Sequence, residues 1–196
     1  MTGMDYAHKG FDLPRPLFLH TEAPHYFREG LSGESEDDFT CRLADSLERL
    51  ILKENPETIA AMIAEPIQGA GGVIIPPENY FAAVQPILKK YQILLIADEV
   101  ICGFGRTGSA FGSQTFGIHA DMMVVAKQLS SGYQPISGLM LSDAVYQVIR
   151  EQSAGFGMFG HGYTYSGHPV PAAVALKTLR IYEERNIFSR VRDLSP

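Results

Sequence analysis

Lys127 closes the apolar run Met122 to Ala126 in ADMMVVAKQLSSG, and Asp98 closes another, Ile93 to Ala97, in ILLIADEVICGFGRTG. A lysine amine can hold an aldehyde as a Schiff base, and a carboxylate can keep a ring nitrogen protonated. Brought together by the ends of two neighbouring strands, this pair suits pyridoxal 5'-phosphate. Taken singly, each is an ordinary strand-end charge. Their joint placement carries the reading.

A chain that positions these groups must build a sheet, and the apolar pattern predicts one. Phe39, Leu43, Leu47, Leu50 and Ile51 recur at helical spacing, and Glu54, Asn55 and Pro56 close that helix. Thr58 to Ala64 reads as a strand. Tyr80, Phe81, Val84, Ile87, Leu88 and Tyr91 mark a second amphipathic helix, and Ile93 to Ala97 a buried strand. Strand, helix, strand favours parallel pairing. A possible strand at Gly138 to Leu141 and helices near Asp143 to Gln152 and Val170 to Arg185 complete an α/β fold, a mostly parallel sheet with helices on both faces. Residues 1–36 carry prolines and glycines without a sustained period and are expected to form an irregular arm, with the domain proper over 37–196. In open α/β sheets ligands bind beyond the carboxyl ends of the strands. Glu65, Asp98 and Lys127 all fall there.

Bulk composition narrows the partners. With 196 residues, 45% hydrophobic, the chain can bury a core and fits one domain better than two. A net charge of −6 without a basic run argues against nucleic-acid and anionic-membrane surfaces. No apolar stretch approaches a bilayer span, and MTGMDYAHKG lacks a signal-peptide core, so a cytoplasmic location is expected. Cys41 and Cys102 match no metal spacing and are expected as thiols; the scattered histidines predict no metal site.

Gly103-Phe104-Gly105-Arg106-Thr107-Gly108 matches the glycine pattern of a dinucleotide fingerprint. Its context does not: SAFGSQTFGIH has no helical period, and no acid ends a strand about 20 residues on. The glycines are expected to allow tight turns, and Arg106 to pair with a nearby carboxylate.

The blocks AEPIQGAGGVIIPPENYF, LLIADEVICGFGRTGSAFGS, ADMMVVAKQLSSGYQPISG and GHGYTYSGHPVPAAVAL, with a weaker match over MTGMDYAHKGFDLPRP, cover nearly the whole chain. In order and spacing they resemble the class III pyridoxal-phosphate aminotransferases of fold type I, most closely the ω-amino acid and amine:pyruvate transaminases. The resemblance implies that Lys127 binds the cofactor and carries the proton between substrate and cofactor, and that Asp98 bridges the pyridinium nitrogen. It also implies that Val100 packs on the ring and that Gln68 lies near the ring hydroxyl. Thr164, with Tyr163 beside it, would reach the cofactor phosphate of a partner subunit, making a homodimer with a shared site. Val100 as core and Thr164 as a turn cap remain open. Glu65 reads as structural at its strand end, and His161 and His168 as holding loop backbone.

Where glutamate-using members carry an acidic gating residue, this chain has Ala70. That resembles the transaminases that pass amino groups from amines or ω-amino acids to a keto acid such as pyruvate. By the same resemblance the chain is an internal portion, beginning after the glycine-serine phosphate cup and ending in a helix, SRVRDLSP, that leads to a C-terminal small domain. An aminomutase or decarboxylase on the same fold, or a noncatalytic remnant, are the alternatives.

Overall fold

The computed structural model describes residues 2–13 and 15–195. Met1, Pro14 and Pro196, which fall in the arm and in the terminal SRVRDLSP, lie outside the described residues.

Helix α2 (Glu36–Glu54) begins where Ser35 Oγ accepts the Asp38 N–H at 3.1 Å, with three acids in its first turn and Lys53 in its last. Both charge placements complement the helix dipole. The periodic apolar residues alone place its start at Phe39. The true start is three residues earlier, because the polar first turn is held by its cap and not by burial. Helix α3 (Tyr80–Lys90) matches its apolar period and packs against α2. Phe39, Leu43, Leu47 and Ile51 from α2 meet Phe81, Val84 and Leu88 from α3 over Ile93 and Leu95, forming the main core. Burying each large apolar side chain contributes roughly 2–3 kcal/mol.

Four strands, β1 (Ala61–Ala64), β2 (Leu94–Asp98), β3 (Met122–Val125) and β4 (Gly138–Leu141), lie side by side in chain order. β1, β2 and β3 are parallel, and β4 adds antiparallel to β3. The fold is therefore α/β with a mostly parallel sheet, as the alternating pattern predicts. Ile96 registers with Met122 and Asp98 with Val124. Side chains alternate across a sheet, so Met62, Ala64 and Leu95 face the α2/α3 core while Ile63, Ile96 and Asp98 face the other way. On that second face Ile63 and, through its register with Val124, Leu139 are 37% and 58% exposed.

The strand expected over Thr58 to Ala64 is shorter. Asn55 has φ 67, Pro56–Thr58 form a 3-10 turn, and Thr58 Oγ1 donates to the Glu54 and Asn55 carbonyls at 2.8 Å. A β-branched residue there satisfies helix-end carbonyls, and the ladder starts only at Ala61.

The first 36 residues hold a 3-10 turn at Asp5–Ala7 and a single helical turn, α1 (Tyr26–Glu29), within irregular chain. Their later part is pinned to α2. Arg42 pairs with Glu34 at 2.7 Å and Glu22 at 3.4 Å, and donates to the Glu29 carbonyl at 2.8 Å. The Tyr26 ring tilts onto Phe39 at 5.5 Å. After β4 the chain forms α5 (Asp143–Phe156), α6 (Pro169–Glu184) and α7 (Ile187–Leu194). α5 buries no residue fully, whereas α6 packs on the 3-10 turn Lys127–Leu129 that follows β3.

Candidate active site

Because β1, β2 and β3 run parallel, Glu65, Asp98 and Lys127 arrive at one rim of the sheet. Asp98 is the last residue of β2 and registers with Val124, so Lys127 stands just beyond the end of the adjacent strand. Asp98 is half-buried; its Oδ1 accepts the Val100 N–H at 3.1 Å, and Oδ2 takes no donor among the described residues. The Lys127 amine is exposed and makes no hydrogen bond or ion pair among the described residues. A carboxylate with one oxygen uncommitted and a lysine not neutralised by it are the donor set that a pyridine nitrogen and an aldehyde require. The residues present fit pyridoxal phosphate in that respect.

Lys127 has φ 41, in the left-handed region. Long side chains seldom adopt it, and such backbone is held only where its surroundings fix it. Here the fixing groups come from the next residues and from α6. The Gln128 side-chain amide donates to the Ile101 carbonyl at 3.3 Å, which links the lysine turn to the loop that follows Asp98.

Gln68 lies across the rim on a tight hairpin. Its backbone exchanges two hydrogen bonds with Ile74, at 3.1 and 2.9 Å, and Ala70 sits exposed at the tip. Glu65 Oε2 accepts the Gly69 N–H at 2.9 Å and so shapes the hairpin, the structural role its sequence position predicts. Val100 is half-buried on the loop after Asp98. Asp98 ends β2, and Gln68, Ala70, Val100 and Lys127 lie on the segments that leave the same strand ends.

Tyr163 and Thr164 do not join them. Both are on the exposed segment between α5 and α6, where Tyr163 is 77% exposed and its N–H donates to Ser166 Oγ at 3.1 Å. The cap of α6 is His168, whose Nδ1 accepts the Val170 N–H at 3.2 Å, and Thr164 takes no part in it. His161 differs from its expected backbone role: its ring lies between those of Phe159 and Tyr163, at 5.9 and 5.6 Å.

The glycine pattern at 103–108 forms turns and not the start of a dinucleotide-binding helix. Gly105 has φ 108, and a Cβ there would lie 2.7 Å from the Phe188 ring of α7. The glycine therefore permits α7 to seat on the loop. Arg106 is exposed and forms no ion pair among the described residues, contrary to the pairing expected from sequence; at a solvated turn a guanidinium needs none.

One residue passed over in the sequence is central to the loop. Glu99, fully buried, accepts the Gly112 N–H on Oε2 at 2.9 Å and the Ser113 N–H and Oγ–H on Oε1, both at 2.5 Å. It thereby caps α4 (Gly112–Thr115) and closes the loop 99–113 behind Asp98. The signal was present: a second acid directly after Asp98 in an apolar run must find buried donors. Cys102, buried beside it, donates toward the Ile67 carbonyl at 3.7 Å, and burial pushes its thiol up, away from the nucleophilic form.

Comparison with known proteins identifies the family and agrees with the fold. A family model described as aminotransferase class-III matches residues 6–196. Gamma aminobutyrate transaminase 3, chloroplastic, of Solanum lycopersicum is 58% identical over 196 residues, covering all of this chain and 38% of that protein. Vanillin aminotransferase of Capsicum chinense is 55% identical over 195 residues, 42% of its length. Among solved structures, a transaminase with L-ala superposes with a TM-score of 0.96 at 57% identity, over 98% of this chain and 45% of that one. The omega transaminase from Pseudomonas jessenii in complex with PMP gives 0.95 at 56%, over 96% and 42%. The chain thus spans about two-fifths of the curated relatives it matches. With the family model covering nearly all of its residues, this chain belongs to the class-III aminotransferases.

Proposed function

We propose that this chain carries the lysine-bearing half of a pyridoxal-phosphate transaminase site that moves an amino group from an amine or ω-amino acid to a keto acid such as pyruvate. The observation that carries the reading is the delivery of Asp98 and Lys127 by adjacent parallel strands to one rim, with the lysine amine unpaired among the described residues. Pyridoxal phosphate, when bound, supplies an aldehyde for amines and a ring that accepts electron density. The protein's part is geometric and protic. Asp98, fixed through Val100 N–H, presents its second oxygen to keep the ring nitrogen protonated. Lys127 Nζ, as free amine, would take the proton from the substrate carbon and, as ammonium, would deliver it to the carbon that was the cofactor's aldehyde. Val100 and Gln68 border the ring's place. Ala70, a methyl at the hairpin tip, leaves room for an apolar substituent and brings no charge.

Tyr163 and Thr164, exposed and turned away from this rim's hydrogen bonds, are read as reaching the site of a second copy, so that the working unit is a homodimer. The test is amine-dependent formation of alanine from pyruvate with pyridoxal phosphate, alongside the mass in solution by light scattering. Lys127→Ala is expected to abolish turnover; a variant that still forms alanine would exclude Lys127 as the working amine. A mass of one chain for the active species would remove the shared-site part.

A further inference from the structure

The lysine turn is held from behind by one side chain. Tyr182, on α6, donates its hydroxyl proton to the Gln128 carbonyl at 2.7 Å. The same oxygen lies 2.6 Å from Ser131 Oγ, and with its only proton committed it accepts from the serine. Gln128 is the middle residue of the 3-10 turn that Lys127 opens and Ser131 lies two residues beyond its end, and both Lys127 and Ser131 have positive φ, 41 and 50. Two bonds from one hydroxyl thus fasten the two ends of a backbone segment that does not relax into this shape by itself.

The fastening point is itself braced. The Tyr182 ring tilts against Phe188 of α7 at 6.1 Å, and Phe188 packs on Gly105 in the loop after Asp98. Arg192, one turn further along α7, donates to the Gly108 carbonyl. Gln128 closes the circuit by donating to Ile101. One pair of helices therefore holds both strand-end loops, the lysine's through Tyr182 and the aspartate's through Phe188 and Arg192.

We propose that Tyr182 is a positioning residue for Lys127: its hydroxyl locks the Gln128 to Ser131 turn so that the amine holds a fixed aim across the rim from Asp98. This rests on the reading of Lys127 as the cofactor-bearing amine. Tyr182 touches no reacting atom; it acts through the backbone.

The test pairs a measurement without cofactor with one that needs it. Leu129, Ser130 and Ser131 donate their N–H groups to the Ala126, Lys127 and Gln128 carbonyls, so their exchange with deuterium reports the turn. In Tyr182→Phe, exchange at these amides should rise about 3- to 10-fold, the factor for one lost hydrogen bond, with α2 amides unchanged. In the chain loaded with pyridoxal phosphate, at equal borohydride-fixed label on Lys127, the visible circular-dichroism band should weaken about twofold or more, since looser support misaims a bound group. Ser131→Ala, an exposed position that removes one of the two bonds, should move both readings the same way by less, and carries the test if Tyr182→Phe does not fold. Unchanged exchange at 129–131, or an unchanged band in a variant whose exchange has risen, overturns the proposal. Failure of the wild-type chain to label at Lys127, with the exchange effect present, instead refutes the cofactor reading on which the role depends.

Discussion

Replacing Glu99 with glutamine tests how the loop behind Asp98 is held. Three donors converge on the buried carboxylate, both of its oxygens accept, and no acceptor meets it among the described residues. Glutamine keeps the volume, so no cavity term enters. Its single oxygen can keep the Ser113 N–H and Oγ–H, but its amide nitrogen then meets the Gly112 N–H, donor against donor. One charge-assisted bond is lost, about 1.5–3 kcal/mol, and a buried N–H is orphaned at about 1–3 kcal/mol. Relief from burying a charge offsets part of this. The net expectation is a loss of about 2–4 kcal/mol. At a urea slope of about 2–3 kcal/mol per molar, the unfolding midpoint falls by roughly 1 M, with thermal midpoints lower by about 5–12 °C. A midpoint within about 0.3 M of the parent's, at unchanged slope, would refute the claim that Glu99 anchors the loop.

Gly112, beside that carboxylate, is tested by alanine. Its Cβ would lie 2.8 Å from both Cys102 Cβ and Pro66 Cβ, neither of which is the far end of a flexible chain, so Gly112→Ala should cost about 1–3 kcal/mol by urea unfolding; no loss would mean the loop has slack there. In the arm, the hydrogen bond from Arg42 holds the Glu34 carboxyl at about 2, below its ordinary 4.5. A depressed carboxylate stabilises the fold above its unfolded value and loses that contribution as pH falls through its folded one. Urea midpoints of the parent should therefore decline between pH 4.5 and about 2 more steeply than those of Glu34→Gln, and parallel curves would show that the pair does not contribute.

The sheet and its rim were legible because buried parallel strands leave unbroken apolar runs, and because chemistry-bearing residues must then fall at their ends. β4 was placed at its observed bounds, and β2 one residue early, since Ile93 is as apolar as a strand residue yet bonds its N–H to Leu88 at the end of α3. What escaped was held by polar groups. The first turn of α2 rests on Ser35, and α4 on Glu99; neither leaves a period to count. The tether from Tyr182 to Gln128 was also hidden, because a tyrosine in an amphipathic helix reads as packing until its hydroxyl's partner is seen. Within the candidate site, Glu65, Asp98 and Lys127 could be grouped from strand ends alone and Gln68, Ala70 and Val100 only through the family resemblance, whereas the placement of Tyr163 and Thr164 on an exposed segment carried no such signal.

The strand order has a consequence for how this rim comes into being. β1, β2, β3 and β4 neighbour one another in the order in which they are made, so Ala61 need only find Leu94, Ile96 need only find Met122, and Val125 need only find Gly138. Each pairing closes a loop of modest length on the strand just formed, which keeps the entropic toll of the search small. The edge bearing Asp98 and Lys127 can therefore grow vectorially, strand upon strand, as the polypeptide emerges during synthesis. Tyr182 follows Gln128 by 54 residues, so the tether on the lysine's turn cannot form until α6 has been made, after all four strands.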